Sequence, residues 1–267
     1  MPSQIHFISG LPQAGSTLLT TILKQNPRFH AGIQSPVADV LLGAMRTLSS
    51  SESSVFVRDE QRERVLRSLV DAYYADYGPD RVVFDLNRSW CSVLPALARL
   101  FPKCRVLCCL RNPAWILDTL ERLVQRNVLL ASKMFGHEIG NVYSRVEGLM
   151  KNHYLAPSMQ ALRQAWFSEY ASMLIGIRHD SLAARPLTVI DQLYDLLDEE
   201  RFAHDFEHIE HDEAVFDGRL SMPGLHRVAD PFDVPKIVSI LPPDLFVQHD
   251  QEFWARSEEN PRQVVVL

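Results

Sequence analysis

One stretch constrains this chain more than any other. The short apolar, β-prone run Ile5-His6-Phe7-Ile8 meets the turn Ser9-Gly10-Leu11-Pro12. Gln13-Ala14-Gly15-Ser16-Thr17 follows, and then an apolar helical pattern at Leu18, Leu19, Ile22 and Leu23. The order predicts a strand, a tight loop and a helix. Such a loop aims backbone N–H groups and the positive end of a helix at one point, which suits a phosphate. Gly10 and Gly15 have the spacing of the nucleotide-binding pattern G-x-x-x-x-G-K-[ST], but Ser16 stands where the lysine belongs. That lysine balances the β/γ-phosphates of a nucleoside triphosphate, so its absence argues against ATP or GTP chemistry. The same glycines also occur in ordinary strand-to-helix turns.

Further along, each short apolar run is followed by a helical pattern. The first helix is expected over Ser16 to Gln25, stopped by Asn26-Pro27. Val37 to Leu48 has helical spacing, and Ser49 to Ser54 reads as a flexible surface loop. Arg58 to Tyr77 is amphipathic, with Val65, Leu66, Leu69, Val70, Tyr73 and Tyr74 on one face, and Gly78-Pro79 ends it. Val82 to Phe84 is a buried strand, and Ser89 is placed to cap a helix running to Leu100. Cys104 to Leu110 is a continuous apolar strand covered on both faces, with a helix from about Ala114. Helices are expected over Glu138 to Met150, over Pro157 to Ser172 and after Arg185-Pro186, with a fourth strand at Met173 to Ile177. From about Phe202 the chain is rich in Pro, Asp and His and should wrap the domain as a loop-rich tail. Four strands alternating with helices predict a single α/β domain over residues 1–267, with a short parallel sheet covered by helices on both faces.

Net charge is −6, which leaves no global basic footprint for nucleic acid or an anionic membrane. An anionic ligand must therefore be held by a local cluster. No apolar run approaches membrane-spanning length. The cysteines Cys91, Cys104, Cys108 and Cys109 lack zinc-ribbon spacing, which fits free thiols in a cytoplasmic protein.

Ligands of open parallel sheets bind beyond the carboxyl ends of the strands. Four segments meet that condition: 10–17, 85–90, 111–119 and 178–185. In the third, Arg111 closes a buried strand, and Thr119 lies eight positions on, in the helix opened by Pro113. An arginine fork with a hydroxyl suits a phosphate monoester. Pro12-Gln13-Ala14-Gly15-Ser16-Thr17 resembles the 5′-phosphosulfate loop of sulfotransferases, P-[RK]-[ST]-G-[ST]-[ST], and Arg111 to Thr119 resembles their 3′-phosphate motif. Phe84-Asp85-Leu86-Asn87-Arg88-Ser89-Trp90 is similar to the D-x-N-R-G-W stretch of a bacterial group of these enzymes. His179-Asp180-Ser181-Leu182 falls where that group often has Y-[DE]-x-L, and Leu225-His226-Arg227-Val228 and Ile240 to Phe246 resemble its C-terminal segments.

The resemblance implies the P-loop-like fold of sulfotransferases that use 3′-phosphoadenosine 5′-phosphosulfate (PAPS). It implies transfer of the sulfonate to a hydroxyl or amine without a metal. Pro12, Gln13, Ala14, Gly15, Ser16 and Thr17 would hold the 5′-phosphosulfate, and Arg111 and Thr119 the 3′-phosphate. Two departures stand out. Gln13 and Ala14 replace the basic residue and the hydroxyl, and Gln brings no charge to the transferring group. Gly32-Ile33-Gln34-Ser35 lacks the glutamate of tyrosine-sulfating relatives. Arg88 and Arg227 are then the candidates to restore the charge, and Asp85 and His30 the candidate bases. The acceptor, a small molecule, a carbohydrate or a peptide, would be held by segments 36–60, 125–160 and the tail. A protein of this fold that binds the nucleotide without transferring sulfonate is the alternative, ahead of a P-loop kinase. His204 and His208 superficially resemble H-E-x-x-H, but Asp205 stands in the glutamate position, and solvated histidines explain them better than a zinc site.

Overall fold

Six strands form one wholly parallel sheet in the order β2-β3-β1-β4-β5-β6. They are β1 (Gln4–Gly10), β2 (Phe29–Ala31), β3 (Val82–Leu86), β4 (Val106–Leu110), β5 (Leu174–Arg178) and β6 (Val265–Val266). The computed structural model describes residues 2–130, 132–135, 140–151, 154–228, 232, 238–255, 260 and 262–267. The helices are α1 (Ser16–Leu23), α2 (Val37–Ser50), α3 (Asp59–Tyr73), α4 (Leu94–Leu100), α5 (Pro113–Arg126), α6 (Val142–Lys151), α7 (Ala156–Trp166), α8 (His179–Ala184), α9 (Pro186–Leu197), α10 (Ala214–Arg219) and α11 (Pro243–His249). Every residue of β3 and β4 is buried, as expected of central parallel strands with helices on both faces. Phe7, Ile8, Phe84, Trp90 and Leu107 fill the centre of a single domain.

The sheet has two more strands than the sequence pattern predicts. β2 is three residues long with a histidine at its centre, and β6 is two residues long, so neither carries a periodic signal. Both are edge strands held by backbone bonds rather than by pattern. Phe29 pairs with Val82, and Leu267 N–H donates to Gly176 at 2.8 Å. The helices stop short of their expected ends. α1 ends at Leu23 and α3 at Tyr73, before the breaking residues are reached. Asn87, not Ser89, provides the cap after β3: its Oδ1 accepts from Ser89 N–H at 2.9 Å and opens a 3₁₀ turn, Arg88–Val93, ahead of α4. The serine patch is more ordered than expected. α2 runs through Ser50, with Ser50 and Ser51 hydroxyls bonded back to Arg46 and Thr47 carbonyls, and a 3₁₀ turn covers Glu52–Phe56. Of the helix expected from Glu138, residues 138–139 lie outside the described residues, and α6 begins at Val142.

The chain order reverses across the β1/β4 pair. β1 leads outward to β2 and β3 on one side, and the chain then crosses to β4, β5 and β6 on the other. Such a switch point leaves a crevice at the strands' carboxyl ends. The two backbones touch closely there. A Cβ on Gly10 would lie 2.3 Å from Cys109 O, and Gly10 has φ 107°, so only glycine can stand at that position.

Candidate active site

The loop after β1 carries three residues with left-handed backbone: Gly10 at φ 107°, Gln13 at φ 54° and Gly15 at φ 88°. Together they turn the strand sharply into α1. Gly15 is the N-cap and no side chain caps the helix. The first closing bond runs from Leu19 N–H to Gly15 O, which leaves the earlier N–H groups of α1 as orphan donors at the positive end of its dipole. A Cβ on Gly15 would come within 3.1 Å of the His179 ring, so the loop also seats against the start of α8.

These donors open into a cavity of about 560 Å³, within the ~300–1,000 Å³ range of small-molecule and cofactor sites. Pro12, Gln13, Gly15, Ser16 and Thr17 line one wall. Ala14 faces the core, with 2% of its surface exposed. Arg88, Arg111 and Arg227 all reach the cavity, as do His179 and His226, and no carboxylate lines it among the described residues. Nor does any of the three arginines form an ion pair among those residues. In a chain of net charge −6, that is a concentrated local cation patch.

Two of the arginines are held by something other than a counter-ion. Arg111 spends one N–H on Gln13 O at 2.8 Å, and burial lowers its pKa. A guanidinium keeps its proton at physiological pH, so its remaining donors stay charged, with Asp180 and Asp118 near but not ion-paired to it. Arg88 stacks on the Tyr154 ring, 4.6 Å from its centroid. Arg227 is exposed on the segment after α10.

Gln13 does not aim its amide into the cavity as a lone donor. Its Nε2 donates to Leu225 O at 3.0 Å and ties the loop to the tail. The tail is therefore part of the site. Phe216, Leu220, the run Leu225–Val228, Met134 and Tyr154 also line the cavity. The remaining contacts come from Leu18, Ile33, Gln34 and Leu86, so no residue of segment 36–60 lines this cavity.

Three predicted site residues lie elsewhere. Asp85 is 1% exposed and accepts hydrogen bonds from Ser35 Oγ at 2.5 Å, Trp90 Nε1 at 2.7 Å and Tyr74 Oη. Burial raises its pKa, and it pins β3 to its neighbours instead of facing the cavity or pairing with Arg88. His30 sits on β2, with Nε2 3.2 Å from Tyr77 Oη and its ring tilted against that of Tyr77, centroids 4.2 Å apart. Burial, with Lys24 and Arg81 nearby, lowers its pKa. Thr119 Oγ1 donates to Trp115 O at 2.9 Å, one turn back in α5, and does not line the cavity. His204 bonds to Tyr194 Oη at 3.0 Å and lies 3.3 Å from Gln25 Oε1, while His208 pairs with Asp205.

Tyr154, Phe216 and Asp217 also matter to the site, and His226 does so beyond its place in a C-terminal pattern. They lie in stretches with little periodicity, where only a pattern such as Leu225-His226-Arg227-Val228 gave any signal.

A glycine-turned loop at the switch point of a parallel sheet, lining one cavity with three arginines that form no ion pair among the described residues, is the candidate site of this α/β chain. The chain belongs to the sulfotransferase family, whose model matches residues 6–204. No curated protein sequence matches it. Among solved structures it is similar to the sulfotransferase domain from the curacin biosynthetic pathway, at 16% identity over 76% of each chain, with a TM-score of 0.50. It is also similar to the sulfotransferase domain from the Synechococcus PCC 7002 olefin synthase, at 16% identity over 93% of this chain and 94% of that one, with a TM-score of 0.48. A sulfotransferase from Alicyclobacillus acidocaldarius matches at 16% identity over 82% of this chain and 90% of that one, with a TM-score of 0.47.

Proposed function

We propose that the protein transfers the sulfonate group of PAPS to a hydroxyl or amine acceptor. The observation that carries this reading is the pairing of orphan loop N–H groups with three arginines in a cavity lined by no described carboxylate. That arrangement favours a ligand with several negative charges and disfavours a neutral one. The donor would supply an activated sulfonate on a good leaving group.

The chain's own residues would do the rest. The N–H groups of residues 13–17, with the Ser16 and Thr17 hydroxyls, take the 5′-phosphosulfate. Arg111 takes the 3′-phosphate. Thr119 would have to release its bond to Trp115 O to join it, which makes Arg111 the principal contact. Arg88 and Arg227 supply the charge that Gln13 lacks, stabilising the oxygens on which charge develops. With the loop and the arginines neutralising the donor, the transfer we propose uses no metal. The walls formed by Leu220, Met134 and the tail would hold the acceptor, a small molecule, a carbohydrate or a peptide.

No helix among the described residues is long and apolar enough to cross a membrane. The four cysteines are buried and free, which suits a reducing compartment, and we propose a cytoplasmic location.

One observation favours a second reading, a nucleotide-binding protein that no longer transfers. The loop side chain nearest the transferring group, Gln13, is spent on Leu225 O. Calorimetry of adenosine 3′,5′-bisphosphate without metal tests the donor site. Micromolar binding is expected for the wild type, with a loss of ~10- to 100-fold in Arg111→Ala, about 1.5–3 kcal/mol for a charged hydrogen bond. Tighter binding of ATP with magnesium would sink both readings. Radiolabelled sulfonate transfer from PAPS to a mixed acceptor panel then separates an enzyme from a binder.

A further inference from the structure

We infer that His226, oriented by Asp217, is the general base that takes the acceptor's proton; this rests on the sulfonate-transfer reading above. His226 lines the same cavity as the loop after β1, next to Leu225, whose carbonyl accepts from Gln13. Its Nδ1 lies 2.6 Å from Asp217 Oδ1, and its backbone N–H donates to Asp217 Oδ2 at 3.0 Å. Asp217 is 0% exposed, so its carboxylate is committed to this one residue through both oxygens. An ionised carboxylate only accepts, so Nδ1 carries the hydrogen and Nε2 presents a lone pair. Nε2 has no protein partner among the described residues, and 19% of the side chain is exposed. This is the geometry of a base whose tautomer and orientation are set by a buried acid.

The segment carrying His226 is pinned at three points. Leu225 O accepts from Gln13 Nε2 at 3.0 Å. Asp217 holds His226 itself. Val228 exchanges both backbone hydrogen bonds with His211, at 2.9 and 3.1 Å. The first peg comes from the loop that faces the transferring group, so base and donor loop are positioned by one contact. Phe216 packs beside the imidazole, with ring centroids 5.3 Å apart, and fixes its tilt.

The other titratable groups of the cavity fit the role less well. His179 faces only the exposed Asp180, with Nδ1 3.6 Å from its Oδ1, and its ring supports Gly15. Burial raises the pKa of Tyr154. Asp85 and His30 are outside the cavity.

In the step, the acceptor oxygen attacks sulfur and forms the new S–O bond. The bond between sulfur and the bridging oxygen breaks, and its electron pair leaves with adenosine 3′,5′-bisphosphate. The acceptor's proton passes to Nε2, giving an imidazolium beside Asp217, and is later released to solvent. Asp217 on α10 faces that imidazolium directly, and Arg88, Arg111, Arg227, His179 and Tyr154 are the other charged or titratable groups lining the cavity.

Sulfonate transfer from PAPS is measured for wild type, His226→Gln and Asp217→Asn, with an aliphatic alcohol and with 4-nitrophenol, which is already ionised at mildly alkaline pH. Bisphosphate affinity is measured beside it. With the alcohol, kcat should fall ~10²- to 10⁴-fold in His226→Gln, and less in Asp217→Asn. The loss should be several-fold smaller with 4-nitrophenol, which needs no base. Bisphosphate affinity should stay within about threefold, which also shows that the variants fold. If the wild type binds the bisphosphate and transfers sulfonate, but His226→Gln keeps the alcohol rate or loses both acceptors equally, the base assignment is overturned alone. If the wild type transfers to no acceptor, whether or not it binds the bisphosphate, the sulfonate-transfer reading falls and the base with it.

Discussion

At the scale of single residues, Gln13 does two jobs that its place in the loop does not announce. It holds a left-handed backbone at φ 54°, a conformation disfavoured for a residue with a Cβ, and its amide spans to Leu225 O. Arg111 then donates to Gln13 O, so one residue joins the loop, the tail and the arginine. A basic side chain at this position would add charge but lose the bond to Leu225. Gln13→Arg is therefore expected not to raise the transfer rate and to release the tail. Loss of that hydrogen bond should cost about 1 kcal/mol in urea unfolding. A rate gain of tenfold or more would show that the site lacks a cation and that Arg88 and Arg227 do not replace it.

At the scale of elements, the central strand hides a titratable group. His6 lies on β1 with no exposure, accepts from Arg105 N–H through Nδ1 at 3.0 Å, and stacks on Phe84. Its Nε2 has no partner among the described residues. Burial, helped by Arg105, lowers its pKa to about 4. The unfolded chain binds a proton at an ordinary histidine pKa of ~6.5 while the folded chain does not, so stability is full above that value and falls as pH drops toward about 4. The shift corresponds to about 3 kcal/mol across that window. His6→Phe lacks this titration. Urea midpoints of the two proteins, compared across the same window, should converge or cross as the wild type weakens. Parallel curves would mean that His6 is not buried neutral. Elsewhere on this scale, buried Asp118 on α5 accepts from Ser239 Oγ and Ile240 N–H, and Arg145 on α6 forks onto Glu121 of α5. These bonds fasten aperiodic segments that apolar pattern alone leaves undirected.

At the scale of the whole molecule, charge and site have opposite signs. The chain is acidic, at −6, yet the cavity gathers three arginines and no described carboxylate. An anion entering this cavity would therefore meet a local cation patch against a weakly repulsive surround. Salt should weaken binding of the bisphosphate only several-fold between ~50 and ~300 mM, because the Debye length already falls below ~15 Å there and the contacts are partly buried. A steeper fall, approaching a thousandfold, would place the anion on an exposed basic surface instead of in this cavity.

How much of this was legible beforehand differs by level. The residue order around Gly10 and Gly15 determined the strand, the turn and the helix N-terminus, because φ preference, helix capping and apolar spacing are local properties. The continuous apolar runs at Val82 and Val106 determined a parallel sheet covered on both faces. From these followed the α/β class, the phosphate loop and Arg111 at a strand's end. The short edge strands β2 and β6 were not determined this way, since two or three residues carry no period and are ordered by the neighbour they bond to. Nor could local pattern show that Asp85 is sealed by three donors while Asp217 is turned onto His226. Both are acids next to apolar residues in sequence, and their partners are distant or reached through a turn. Only the tertiary structure decided which charges stay unpaired. Burial and hydrogen bonding depend on segments far apart in the chain, such as Gln13 and Leu225, meeting across the sheet's switch point.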